Sequence, residues 1–221
     1  MRAQSAIAAH QAAAEDRRPK AFTASGRFVP LIGTMPSEIE FRDIAGHLAR
    51  LCRFSGATVS HYSVAQHSVL TADLLAGHGP VTQLYGLLHD AHEYVFGDIT
   101  TPVRRLLQAA SYGVNMPGAL DPIAELTRDV DAAIHARAGL VWPLPAATAN
   151  LIRLADAKAL ATEIRDVCTD PRQADRLAFG ELPPPMRGAI KPWPWIKAEE
   201  KFLEKLEDLT TLAGITLEVA A

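Results

Sequence analysis

GLLHDAHEYVFGDITTP, residues 86–102, carries an apolar run straight into His89, Asp90, His92 and Glu93, breaks at Gly97 and then offers Asp98. The apolar positions leading into it recur at helical spacing. Pro80 suits a first helical position and Gly97 a C-terminal cap, so the pattern predicts one helix from Pro80 to Phe96. On that helix His89 and Asp90 stand about 100° apart. Glu93 follows Asp90 by three positions and His89 by four, so all three share a quadrant. Gly86, one turn before Asp90, leaves space above its carboxylate. His92 faces another side, which gives it a supporting or surface role.

The flanking segments are helical as well. DIAGHLARLC (43–52) repeats Ile44, Leu48, Leu51 and Cys52 as one stripe, with Asp43 placed to cap it. Ser63 followed by Gln66 is a capping-box pattern that opens a helix over Val64–Leu75, with His67 on the inward side beside Val64, Thr71 and Leu74. Thr101-Pro102 restarts a short helix through Leu107, and SYGVNMPGAL (111–120) reads as loop. Asp121-Pro122 opens another helix with Ile123, Leu126, Val130 and Ile134 inward, ending near Gly139. A long helix from about Ala147 to Val167 sets Asp156 beside Ile152, Ala155 and Ala159.

Residues 170–194, with PPP and PWP, read as an irregular wrap. A final amphipathic helix from about Trp195 to Leu212 packs Ile196, Phe202, Leu203 and Leu206, and RFVPLIG (27–33) reads as extended. The fold class is therefore all-α: a helical bundle, a loop-rich C-terminal wrap and a terminal amphipathic helix. The expected division is a flexible extension over 1–25 and a single domain over 26–221. Its core spans 40–168, and the wrap and last helix span 169–221.

With 221 residues, 48% hydrophobic and 21% charged, the chain can bury a sizeable core. A net charge of −3 argues against a nucleic-acid polymer or an anionic membrane as partner. No window approaches the roughly 18 apolar residues of a membrane span. The first 20 residues lack a hydrophobic signal core. Two cysteines, Cys52 and Cys168, fit buried thiols in a reduced cytoplasmic setting.

Inward His67, inward Asp156 and the pair His89–Asp90 bring two nitrogen and two oxygen ligands from three helices. That set suits a borderline divalent cation such as Zn, Co, Mn, Fe or Ni. The order His, then His-Asp, then a distant Asp resembles the HD-domain metal-dependent phosphohydrolase superfamily. Within it, YSVAQHSVL (62–70), LLHDAHEYVFGDITTPV (87–103), LIRLADAKALATEI (151–164) and RLCRFSG (50–56) most resemble the 5′-deoxynucleotidase-like proteins of bacteria and phages. The resemblance spans roughly residues 40–165.

The resemblance implies an HD-domain helical bundle. It makes His67, His89, Asp90 and Asp156 the ligands of one divalent metal ion, Mg joining the candidates above. It makes Glu93 the residue that orients or deprotonates the attacking water, and Asp98 a second acid–base or substrate-binding group. Arg53 would hold phosphate, with Phe54 and Ser68 also against the substrate. Phe54 stands where the deoxynucleotidases carry Trp, a departure that touches selectivity for the deoxy sugar. Gln66 replaces the family's acidic residue before the first metal histidine.

The implied activity is release of phosphate from deoxynucleoside 5′-monophosphates. Two alternatives stay open: removal of phosphates from a deoxynucleoside triphosphate, and a non-catalytic nucleotide-binding module with a structural metal. Relatives commonly form dimers and the last helix offers a surface, so a homodimer is also open.

Overall fold

The computed structural model describes residues 17–112, 121–170, 172 and 181–217. They are mostly helical, with one small antiparallel sheet in which β1 (Lys20–Phe22) pairs with β2 (Phe28–Pro30). The helices are α1 (Phe41–Arg50), α2 (Val64–Leu74), α3 (Pro80–Leu88) and α4 (Glu93–Phe96), then α5 (Thr101–Tyr112), α6 (Pro122–Arg137), α7 (Ala146–Val167) and α8 (Trp195–Leu212). No helix among the described residues is long and apolar enough to cross a membrane.

α2 and α3 pack side by side, α8 lies across α1, α2 and α3, and α7 closes on α2 and α3. Ile44 and Leu48 of α1, Val69 of α2, Leu84 and Leu87 of α3 and Phe202 of α8 meet in one buried core. Burying a side chain such as Phe202 is worth about 1.5–3 kcal/mol, which makes the last helix part of the core. Its phase differs from the expected one: Ala198, Phe202, Leu206 and Leu209 turn inward, and Ile196 is 63% exposed. On α6 the inward stripe is Ile123, Thr127, Val130 and Ile134, and Leu126 is 61% exposed. Four-three-four spacing keeps Thr127 on the buried side and rotates its neighbour out.

The helix expected to run from Pro80 to Phe96 is interrupted at the residues that carry chemistry. α3 ends at Leu88, and residues 89–92 form a tighter turn before α4. Ala91 N–H donates to the Leu88 carbonyl at 3.0 Å and Glu93 N–H to Asp90 at 3.0 Å, both three residues back. The His89 side chain supplies the reason: its Nδ1–H donates to the Gly86 carbonyl at 2.8 Å, the acceptor that an α-helix would give to the Asp90 amide. Gly86 itself serves close packing of α3 on α2 rather than space over Asp90. A Cβ there would collide with Leu75 Cδ1.

Several other expectations shift. Residues 17–25 are docked instead of flexible, and residues 1–16 lie outside the described residues. Ser25 N–H and Oγ–H donate to Asp43 at 2.8 and 2.7 Å, and Ala24 N–H donates to His47 Nε2 at 2.9 Å. Asp43 is thus spent on that hairpin, and Glu40 occupies the N-cap of α1. α5 runs past Leu107 to Tyr112, and the rest of the loop expected at 111–120 lies outside the described residues. Ser63 caps α2 by accepting from Gln66 N–H, but the Gln66 side chain reaches the C-terminal wrap instead of Ser63. It donates to Lys191 O at 2.9 Å and accepts from Trp193 N–H at 2.8 Å.

Candidate metal centre

His67 on α2 is fully buried and His89 follows the last turn of α3. Each ring has its Nδ1 committed: His67 Nδ1–H donates to Glu163 Oε1 at 2.6 Å, and His89 Nδ1–H donates to Gly86. In the neutral rings that leaves Nε2 as the lone pair, and the two Nε2 atoms face each other at 3.3 Å. Two lone pairs at that distance repel unless a proton or a metal cation stands between them.

Carboxylates complete the cluster. Asp156 Oδ1 of α7 lies 3.3 Å from His67 Nε2 and 3.9 Å from His89 Nε2. Asp90 Oδ2 lies 3.5 and 3.2 Å from the same two atoms. Donors about 2.1 Å from one ion stand roughly 3.0–3.4 Å apart around it; the 3.2 and 3.3 Å spacings match that, and the 3.5 and 3.9 Å ones are wider. His67, His89 and Asp156 could together hold a metal ion. Asp90 Oδ2 stands beside both imidazoles but outside that set of three, whose donor atoms all lie within 4.8 Å of one another.

The side chains also show the electrostatic demand of the site. Burial and Arg53 oppose protonation of His67, but Glu163 and Asp156 win and hold its pKa up at about 10. Burial opposes ionisation of Asp90, yet His89, His67 and Arg53 keep its carboxyl well below the usual range. The same carboxylates that favour a proton on His67 would favour a cation at its Nε2.

The cluster opens on a cavity of about 620 Å³. Arg53, Phe54, Asp90, Glu93, Asp98 and Asp156 line it, so these predicted residues come together. Glu93 is buried, and its Oε2 finds no hydrogen-bond partner among the described residues. Burial first, then Asp90 and Asp98, pushes its pKa to about 10. Glu93 thus borders the cavity while its Oε2 stays buried and unpaired, an unusual state for a polar atom. Burial also raises Asp98, which is held by the backbone N–H of Phe54.

Arg53 is positioned by the strap between α1 and α2. Its N–H donates to Tyr62 O at 2.9 Å, and further along Val59 N–H donates to Val167 O at 2.9 Å, so the strap ties α2 to the end of α7. Phe54 and Ser55 follow with φ of 55° and 51°, a left-handed turn unusual for non-glycine residues. The turn aims the Phe54 amide at Asp98 and leaves its ring 5.5 Å from the guanidinium carbon of Arg53.

Ser68 is the exception among the expected site residues. It is fully buried and does not line the cavity. One position along α2 from His67 rotates a side chain by about 100°, away from the opening. His92 is also buried and away from the ligand cluster, its Nδ1 bonded to Asp131 Oδ1 at 3.0 Å. His47 bridges Ala24 N–H and the Tyr94 carbonyl, a structural duty, and His61 is exposed.

Sequence reasoning missed Glu163. It is fully buried on α7, where Oε1 accepts from His67 and, at 3.0 Å, from Tyr62 O–H. Oε2 accepts from Arg53 Nε and Nη2 at 3.2 and 3.1 Å. Arg53 and His67 outweigh burial and hold Glu163 at about 2, so it is a carboxylate. The available signal was its place two turns after Asp156, a charged residue inside the apolar run ALATEI (159–164). Arg104, which also lines the cavity and pairs with Asp121 at 3.3 Å, was missed too.

No family model matches the chain. An uncharacterized protein of Rhodobacter capsulatus is 37% identical, over 79% of this chain and 88% of the relative. The uncharacterized protein YfdR of Escherichia coli K12 is 31% identical, over 79% of this chain and 86% of the relative. At that identity and coverage, the chain belongs to the family of these two proteins.

Proposed function

We propose that the chain is an HD-domain metal-dependent phosphohydrolase acting on nucleotides, most closely a 5′-deoxynucleotidase that releases phosphate from deoxynucleoside monophosphates. The carrying observation is the convergence of two imidazoles, each with its Nδ1 committed, on Asp156 and Asp90, beside Glu93 in the cavity wall. The donor set of two nitrogens and two oxygens suits Mn, Co, Fe, Ni, Zn or Mg. When bound, such a cation polarises a phosphoryl oxygen and lowers the pKa of water toward about 7.

The chain's own groups do the rest. Glu93 accepts the proton of the attacking water. Arg53, its other edge held by Glu163, turns Nη1 toward Asp90 at 3.7 Å and meets the phosphate from the same side. Asp98, its pKa raised, donates a proton to the leaving 5′ oxygen. Phe54, Leu160 and Ile164 give the cavity an apolar side for the nucleoside.

A second reading, hydrolysis of deoxynucleoside triphosphates, draws on one observation. Arg104 supplies another guanidinium on the same cavity, where a longer phosphate chain would need one. A product assay over ribo- and deoxynucleoside mono- and triphosphates with Mn, Co, Mg and Zn separates the readings. Phosphate release from dAMP supports the first, and inert monophosphates with cleaved dATP transfer the conclusion to the second. A metal-loaded protein that binds nucleotides and turns over none of them refutes the enzyme.

A further inference from the structure

We propose that Glu163 is a positioning residue that serves both halves of the site at once, presenting His67 Nε2 to a cation and Arg53 to an anionic phosphate ester. The cation half stands on the geometry of the histidines. The phosphate half rests on the phosphohydrolase reading.

Every partner of Glu163 is a donor. His67 Nδ1–H and Tyr62 O–H come to Oε1 at 2.6 and 3.0 Å, and Arg53 Nε–H and Nη2–H come to Oε2 at 3.2 and 3.1 Å. The side chain has 0% exposure, so water cannot replace any of them. Only a carboxylate accepts on both oxygens; an amide accepts on one side and donates on the other. An acceptor opposite Nδ1 forces the proton there and leaves Nε2 free for a metal, which is how carboxylates behind ligating histidines act. The same carboxylate clamps one edge of Arg53 and leaves Nη1 facing Asp90 and the cavity.

Glu163→Gln is therefore an unequal replacement despite its matching shape. With its NH₂ toward Arg53, donors face donors and the guanidinium is pushed from its place. With its NH₂ toward His67, that ring must move its proton to Nε2, into the ligand cluster. The variant is expected to bind Mn²⁺ about 10–100-fold more weakly by calorimetry, or to raise KM for dAMP by a similar factor with a smaller change in kcat. Tyr62→Phe removes a hydrogen bond from the same Oε1 and touches neither task, so it should bind Mn²⁺ within twofold of wild type.

The proposal is overturned if E163Q keeps both Mn²⁺ affinity and KM within twofold, or if Y62F loses Mn²⁺ affinity as E163Q does. Should E163Q fail to fold, the wild-type protein still decides. In the Zn²⁺-loaded protein, long-range ¹H–¹⁵N spectra should show His67 metallated at Nε2 and protonated at Nδ1, and metallation at Nδ1 refutes the idea. If wild type hydrolyses no nucleotide, the phosphohydrolase reading falls, while the Mn²⁺ and NMR arms still judge Glu163.

Discussion

A divalent cation should stabilise this protein against heat, and Asp156→Asn should remove most of that effect. His67 Nε2 and His89 Nε2 stand 3.3 Å apart with each Nδ1 committed elsewhere, and Asp156 Oδ1 lies 3.3 Å from the first. A ligand that binds only the folded state at a thousand times its Kd adds about 4.1 kcal/mol. For a chain of this size each kcal/mol moves Tm by roughly 2–4 °C, so saturation should raise Tm by about 8–16 °C. Each tenfold loss of affinity removes about 1.4 kcal/mol, or roughly 3–6 °C of the shift. The assay is a thermal melt of protein stripped with EDTA, then titrated with Mn, Co, Fe, Ni, Zn and Mg, for wild type and D156N. If none of the six moves the wild-type Tm, or if D156N keeps the full shift, the reasoning from converging lone pairs is wrong.

Glu93→Gln should keep the metal-dependent Tm shift and lower kcat for phosphate release by about 10²–10⁴, the usual worth of a general base; unchanged kcat would remove Glu93 from the chemistry. His135 is buried between the Tyr85 and Trp142 rings, donates Nδ1–H to Asp131 O at 2.7 Å and has no partner for Nε2 among the described residues. Burial lowers its pKa, with His92 and His89 adding to the effect against Asp131, so the unfolded chain binds its proton first. Its contribution is present above the ordinary value of about 6.5 and is lost as pH falls below it. His135→Phe should therefore show a smaller fall in Tm from pH 7.5 to 5 than wild type, and equal falls would contradict this. Removing the metal should also abolish dAMP binding measured by calorimetry, and tight binding in EDTA would contradict the charge balance of the cavity.

The parts of the site that were legible in the sequence are those whose side chains are chemically distinctive and sit at inward helical phases. His67, Asp156 and the His89–Asp90 pair satisfy both conditions, and the structure brings each aspartate within 3.5 Å of His67 Nε2. The break between α3 and α4 was illegible because a side chain decides it. Nothing in the periodicity says that His89 will take the Gly86 carbonyl. Ser68 was misplaced because a neighbour in sequence is not a neighbour in space on a helix. Glu163 was hidden for a different reason. A Glu in a long helix is ordinarily solvated, and only Tyr62, His67 and Arg53, arriving from other elements, make this one buried and fully bonded.

Charge explains why these residues belong together. Asp90, Glu93, Asp98 and Asp156 line the cavity, and Glu163 lies directly beneath it. Arg53 offsets only part of that total, and it already faces Glu163 and Asp90. A phosphate ester approaching these side chains alone would meet like charge in a partly desolvated space, where repulsion is weakly screened. Burial, joined by that pressure, raises Glu93, and the carboxylates raise His67 against burial, each to about 10. A dication among His67, His89, Asp90 and Asp156 would relieve the same pressure. It would release Glu93 to act as a base and give an anionic substrate something to bind. On the proposed phosphohydrolase reading, the acidic wall would select the cation first, and the cation would then make the cavity fit for phosphate.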